Sequence, residues 1–145
     1  MMFAVVNGPN LNRLGVREPQ IYGSTTLEEL QKRLQHQAQD AGHQLVCVHS
    51  NHEGALIEAI HGFPDQGVRG VVVNLAGYTH TSVALLDALL SVSLPYIEVH
   101  VSNIYARESF RHHSYISPHA LGVVCGLGVD GYSYALDHLI RTTHP

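Results

Sequence analysis

The chain has 145 residues, 45% apolar and 14% charged, with a formal charge of −4. That size suits one domain, 1–145, with a core of its own; the low charge and the lack of a basic run argue against a nucleic-acid surface, and no apolar run is long enough to span a membrane. Residues 1–7 pass directly into a strand without a signal-peptide pattern, and Cys47 and Cys125 each lie in an apolar run, as free thiols in a reducing cytoplasm do.

The predicted elements alternate strand and helix. Residues 2–7 read as an apolar strand. Residues 26–41 read as a helix, opened by the capping box Thr26-x-x-Glu29 and closed by Gly42. Its apolar positions Leu27, Leu30, Leu34, Ala38 and Ala41 follow helical spacing. A strand at 44–50, a helix at 53–63 and a nearly continuous apolar strand at 68–75 follow. Next come a helix at 81–92, a strand at 95–99, a short helical piece at 104–110, a strand at 121–125 and a helix at 132–141. Five strands alternating with helices, two of them apolar throughout, imply a parallel sheet covered on both faces. Right-handed crossovers then give an α/β, flavodoxin-like, doubly wound five-stranded parallel sheet in three layers.

In such a fold ligands bind beyond the carboxyl ends of the strands. The residues there form a polar set: 7–22, 51–53, 74–80 and 100–103. The first of these stretches, with Gly23, reads NGPNLNRLGVREPQIYG and is long for a connection in a compact domain. Arg17 and Tyr22 lie five apart in it, and a guanidinium beside a phenol favours the phenolate, which makes a base. A surface loop with a packed Tyr and a solvated Arg fits the same residues.

Glu98 and His100 are two apart on a strand, so they share a face. A carboxylate beside an imidazole fixes its tautomer and favours its charged form, which prepares a general acid; a structural strand-end pair is the plainer alternative. Val101 and Ser102 follow, offering backbone N–H groups and a hydroxyl to an anion. Arg107 and Arg111, four apart, face a ligand or, for Arg107, pair with Glu108. His80 either donates to a hydroxyl or caps the helix that follows. That helix, 81–92, is apolar on nearly every side with Asp87 its only charge, the pattern of a subunit interface. The sequence 126–131 matches GxGxxG, but the 14 residues after it hold no further strand with an acidic residue. It therefore reads as a tight turn with close helix–sheet packing. The twelve histidines lack HExxH, CxxC or an acidic cluster, so metal binding has no support. Lys32 is the only lysine and faces away from the apolar stripe of its helix, which leaves a Schiff-base route without a nucleophile.

Several long segments together resemble type II 3-dehydroquinate dehydratase, an enzyme of the shikimate pathway. They are NGPNLNRLGVREPQIYGSTT (7–26), SNHEGALIEAIH (50–61), NLAGYTHTSVALLDAL (74–89), EVHVSNIYARESFRHHSYISP (98–118) and GLGVDGYSYAL (126–136). The resemblance implies a flavodoxin-like fold, a homo-oligomer of trimers assembled to a dodecamer, and conversion of 3-dehydroquinate to 3-dehydroshikimate through an enolate without metal or cofactor. It implies that Tyr22 is the base for the C2 proton, and that Arg17 lowers the Tyr22 pKa and steadies the developing charge. His100, oriented by Glu98, is the implied acid for the departing hydroxyl, and Asn10 holds a water against the enolate. Asn74, His80, Arg111 and the Val101–Ser102 backbone are implied substrate contacts, with Asp87 entering from a neighbouring subunit and the Arg17–Tyr22 loop acting as a lid. Beside these positions the chain departs from the family pattern at Val16, Gln20, Tyr105 and Ser109, with Tyr105 expected at the pocket wall beside His100. The rival class is a non-catalytic flavodoxin-like binding module. A phosphoreceiver needs acidic residues where Asn7 and Asn74 stand, and a flavin carrier needs a hydroxyl-rich loop in place of NGPNLNRLG.

Overall fold

A computed structural model describes residues 1–16 and 18–145, with the side chain of Tyr22 outside that description. Five parallel strands form one sheet in the order β2-β1-β3-β4-β5: β1 (Met2–Asn7), β2 (Gln44–His49), β3 (Val68–Asn74), β4 (Tyr96–His100) and β5 (Gly122–Cys125). The helices are α1 (Pro19–Tyr22), α2 (Leu27–Asp40), α3 (Glu53–Gly62), α4 (Val83–Val92) and α5 (Asp130–Thr142). This is the flavodoxin-like doubly wound arrangement that the alternating pattern implies, with the chain reversing direction across the sheet at β1 and β3.

Two apolar layers cover the sheet, which is why β1 and β3 are apolar almost throughout. Phe3, Val5, Val72, Ile97 and Val99 face one way, against Leu30 and Leu34 of α2 and Tyr132, Leu136 and Leu139 of α5. Ala4, Val6, Val71, Val73 and Tyr96 face the other way, against Leu56 and Ile60 of α3 and Leu85, Ala88 and Leu89 of α4. Thr26 caps α2 by accepting from the Glu29 backbone N–H at 3.1 Å, and Gly42 follows in a left-handed conformation with φ of 83°, as the sequence implies. In the 126–131 turn, a Cβ on Gly131 would meet Val124 and Val99 side-chain carbons at 3.1 and 3.4 Å. Gly131 thus serves close helix–sheet packing, while Gly126 and Gly128 take the left-handed φ of a tight turn, 86° and 63°, and no nucleotide fingerprint is needed to explain them.

Two local expectations change. The piece at 104–110 is two 3-10 turns, Ile104–Ala106 and Ser109–His112, because Arg107 between them is extended (φ −112°, ψ −164°). Helix α4 starts two residues later than expected, because the Ser82 hydroxyl accepts from the Leu85 N–H at 2.9 Å and ends the preceding turn. The apolar surface of α4 is not covered on all sides within one chain, which fits the interface pattern read from the sequence: Val83 and Leu90 are 50% and 43% exposed. Cys47 and Cys125 are free and partly buried, and burial pushes the Cys47 thiol up to about 11.

Candidate active site

A cleft of about 200 Å³ opens beyond the carboxyl ends of β1, β3 and β4. The backbone makes its floor. At Gly8 the chain leaves β1 so close to the next strand that its N–H donates to the Asn74 carbonyl at 2.8 Å. A Cβ there would lie 2.3 Å from the Leu75 oxygen, so only glycine permits the approach. Asn10 then turns left-handed, with φ of 70°, a conformation asparagine tolerates better than most residues. Its N–H donates to Asn51 Oδ1 at 2.9 Å, and the Tyr78 hydroxyl donates to the Asn51 carbonyl at 2.9 Å. The loops after β1, β2 and β3 are thereby tied together, and Asn10 lines the cleft.

Beneath the cleft lies a buried polar relay. The Tyr132 hydroxyl donates to Asn7 Oδ1 at 2.6 Å and accepts from Asn74 Nδ2 at 2.7 Å. Asn74 Oδ1 in turn accepts from the Ala76 N–H at 3.0 Å. Because the phenol spends its one hydrogen on Asn7, it can only accept from Asn74. The Asn74 amide is therefore fixed with its NH2 group toward Tyr132, and the residue lines the cleft. Burial raises the Tyr132 pKa well above the ordinary phenol range, so this hydroxyl remains a neutral bridge.

Glu98 is fully buried, and His100 is nearly so. As their strand spacing implies, they meet: His100 Nε2 bonds Glu98 Oε2. The other carboxylate oxygen receives two hydroxyls, Ser114 at 3.2 Å and Ser117. Burial alone would raise the Glu98 pKa. The hydrogen bonds from His100, Ser117 and Ser114, together with the charge of His100, outweigh it and leave the pKa below the usual glutamate value. With Nε2 committed to a carboxylate, Nδ1 is the ring nitrogen left for the cleft, which His100 lines.

The His80 ring stacks on that of His100, with centroids 6.3 Å apart and planes at 20°. His80 Nδ1 donates to the His113 carbonyl at 2.7 Å, so the helix-capping reading fails; Ser82 is the cap. Burial lowers the His80 pKa; the His113 bond opposes this, and the His100 and Arg111 charges add to the lowering. The ring is thus neutral at neutral pH, with its hydrogen on Nδ1. That leaves Nε2 as an acceptor on a residue that lines the cleft, where the sequence suggests a donor.

Glu108 pairs with Arg111 and not with Arg107. Arg107 Nη1 donates to the Ser102 hydroxyl at 3.1 Å. Both arginines line the cleft with Val101 and Ser102. Gly128 N–H bonds the Val101 carbonyl at 3.0 Å and the Cys125 thiol bonds the Ser102 carbonyl at 3.4 Å, so both carbonyls point toward β5. Tyr105 does not line the cleft as expected: it is 60% exposed and tilts against the His112 ring, 5.6 Å away.

One expected residue stands apart from this cluster. Asp87 lies on the exposed face of α4, outside the cleft of its own chain. Arg17 and the side chain of Tyr22 lie outside the described residues. The neighbouring Ile21 lines a second cleft with Val101, Ser102 and Arg107, so α1 borders the β4 end of the site. Sequence reasoning placed Asn51 at the strand ends without a role, and missed Ser114, Ser117 and Tyr132. Only Tyr132 carried a signal, as the first large apolar residue after the glycine turn.

A family model described as class II dehydroquinase matches residues 1–140. The chain belongs to the class II dehydroquinase family. It is 53% identical over 141 residues to a 3-dehydroquinate dehydratase of Acinetobacter baumannii, covering 97% of this chain and 93% of that one. It is 55% identical over 138 residues to a catabolic 3-dehydroquinase of Pyricularia oryzae, covering 94% and 88%. The structure of type II dehydroquinase from Butyrivibrio crossotus superimposes with a TM-score of 0.93 at 44% identity, covering 96% of this chain and 97% of that one. In this class II dehydroquinase, the cleft unites Asn10, Asn74, His80, His100, Val101, Ser102 and Arg111.

Proposed function

We propose that the cleft dehydrates 3-dehydroquinate to 3-dehydroshikimate, and that residues 1–145 act as a single catalytic domain. The observation that carries this reading is the buried Glu98–His100 pair at the cleft wall, in a chain matched nearly end to end by one enzyme family. Tyr22, as phenolate, takes the C2 proton, and the C–H electrons move into the enolate. Arg17 lowers the Tyr22 pKa and balances the enolate charge, with a water held by Asn10. His100, charged and oriented by Glu98, gives a proton from Nδ1 to the leaving hydroxyl. Water departs as the carbon–carbon double bond forms, and no electron leaves or enters the pair of reactants. Proton transfers suffice, so the reading needs no metal or cofactor.

An unperturbed tyrosine titrates near pH ~10. Lowering that by about three units requires about 4 kcal/mol of differential stabilisation. One solvent-screened arginine gives too little, so the reading includes closure of the 7–23 loop and exclusion of water. Asn74 donates to a substrate oxygen, His80 Nε2 accepts from a substrate hydroxyl, and the Val101–Ser102 amides with Arg111 hold the substrate's polar groups.

The exposed apolar side of α4 supports assembly into trimers and then a dodecamer, with Asp87 reaching the cleft of a neighbouring copy. Among the described residues no helix is long and apolar enough to cross a membrane, which fits a cytoplasmic enzyme. The test is the appearance of enone absorbance when purified protein meets 3-dehydroquinate without added metal. Activity should survive borohydride with substrate present, since Lys32 is 68% exposed and pairs with Glu28 at 3.2 Å. A binding module without turnover would bind the substrate and produce no enone.

A further inference from the structure

We infer that Ser117 and Ser114 are positioning residues for the general acid: their hydroxyls hold Glu98 as an acceptor-only carboxylate, and Glu98 in turn fixes His100 with Nδ1 toward the cleft. This rests on the dehydratase reading of the same site.

Glu98 is fully buried, and a buried carboxylate remains ionised only if its oxygens are matched by donors. Among the described residues Oε1 has two, the hydroxyls of Ser114 and Ser117, and Oε2 has one, His100 Nε2. A carboxylate so occupied is an acceptor on both oxygens, so Nε2 must carry the hydrogen. Were Glu98 protonated, it could donate to Nε2 instead. The ring hydrogen would then move to Nδ1, and the support for a charged imidazole would be gone. The serine hydroxyls decide between the two states because they raise the cost of a neutral Glu98.

The segment 113–117 that carries them has a wider task. Its His113 carbonyl accepts from His80 Nδ1 at 2.7 Å. Its Tyr115 N–H donates to the Thr79 carbonyl at 3.2 Å, and its Ile116 carbonyl accepts the Tyr96 hydroxyl. Ser114 itself is held by the N–H groups of Ile116 and Ser117, at 3.3 and 3.2 Å. One short turn therefore sets both stacked imidazoles, His80 through a carbonyl and His100 through a carboxylate.

The other charged and titratable groups that face this pair, among the described residues, are His80, Arg107, Arg111 and the Tyr96 phenol. The arginines keep their charge at every pH used. Burial and the Glu98 charge push Tyr96 up to about 12, and His80 is already neutral. None of them changes state when a serine is altered, so a moved alkaline limb reports the Glu98–His100 pair.

The experiment compares wild type with Ser117→Ala, Ser117→Thr and the Ser114→Ala/Ser117→Ala double variant, each as the assembled protein. Two readouts are taken: the pH profile of kcat with 3-dehydroquinate, and the imidazole 15N signals of His100. The double variant should lose about ten-fold in kcat, with its alkaline limb moved to lower pH. Its His100 signals should lose the Nε2-protonated neutral pattern, KM should change little, and Ser117→Thr should restore both readouts. An unmoved limb with unchanged 15N signals, in a folded double variant, overturns the assignment. Because the 15N readout needs no turnover, it judges the serines even if wild type failed to dehydrate 3-dehydroquinate.

Discussion

Replacing Tyr132 with Phe removes one oxygen from a fully buried relay and nothing else. The ring keeps its place among Val99, Leu136 and Leu139 of the same core, so the cost is not a cavity. It is two stranded polar groups. Asn7 Oδ1 loses its 2.6 Å donor, and the Asn7 Nδ2 atom already has no partner among the described residues. Asn74 Nδ2 loses its 2.7 Å acceptor. Leaving a buried polar group unsatisfied costs about 1–3 kcal/mol, so two of them cost about 2–6 kcal/mol, less whatever a buried water regains. Near the melting point about 1 kcal/mol corresponds to about 4 °C for a chain of this size, so Tm should fall by roughly 8 °C or more. Thermal unfolding is to be compared at one protein concentration, because subunit assembly couples to stability. Among the described residues the Asn74 amide is then held only through the Ala76 N–H at 3.0 Å, so KM for 3-dehydroquinate should rise while the alkaline limb set by His100 remains. A Tm within about 1 °C of wild type with unchanged KM would refute the claim that Tyr132 orients Asn74.

Tyr22→Phe should cut the chemical step by orders of magnitude with the fold intact. Arg17→Ala should both slow it and move the Tyr22-dependent limb of the pH–rate profile upward; an unmoved limb would make Arg17 a clamp rather than the source of the base. Arg111→Ala should act mainly through KM, and a loss confined to kcat would place it with the acid–base groups instead. Leu90→Glu, on the exposed side of α4, should split the assembly and lower activity together through loss of the neighbouring Asp87. Light scattering that shows an intact oligomer, or a fully active monomer, would contradict the shared site.

Local patterns in the sequence carried most of the fold. The apolar runs of β1 and β3 marked central strands because both faces of those strands are covered, and the Thr26–Glu29 box marked the start of α2 through the bond it makes. The Glu98–His100 pair was legible because a period of two puts both side chains on one face of β4. Ser114 and Ser117 were not: they sit in an irregular turn, and they reach Glu98 across 16 and 19 residues of chain. Tyr132 reaches Asn7 across 125 residues, a contact that only the sheet order creates. The split at Arg107 escaped notice for a related reason. Helical spacing of Arg107 and Arg111 suggested one turn, but the bond from Arg107 to Ser102 accompanies an extended backbone that separates two. For α4, uniform apolarity pointed to an interface between subunits, and one chain alone buries only the side that holds Leu85, Ala88 and Leu89.

The central claim is that the Glu98–His100 pair supplies the acid for dehydration in this cleft. The direct measurement is enone formation from 3-dehydroquinate by wild type and His100→Ala, both folded and equally assembled, without added metal or cofactor. The account predicts steady turnover by wild type and a rate lower by orders of magnitude for the variant. A His100→Ala variant that works at the wild-type rate, or an assembled wild type that yields no enone, would contradict it.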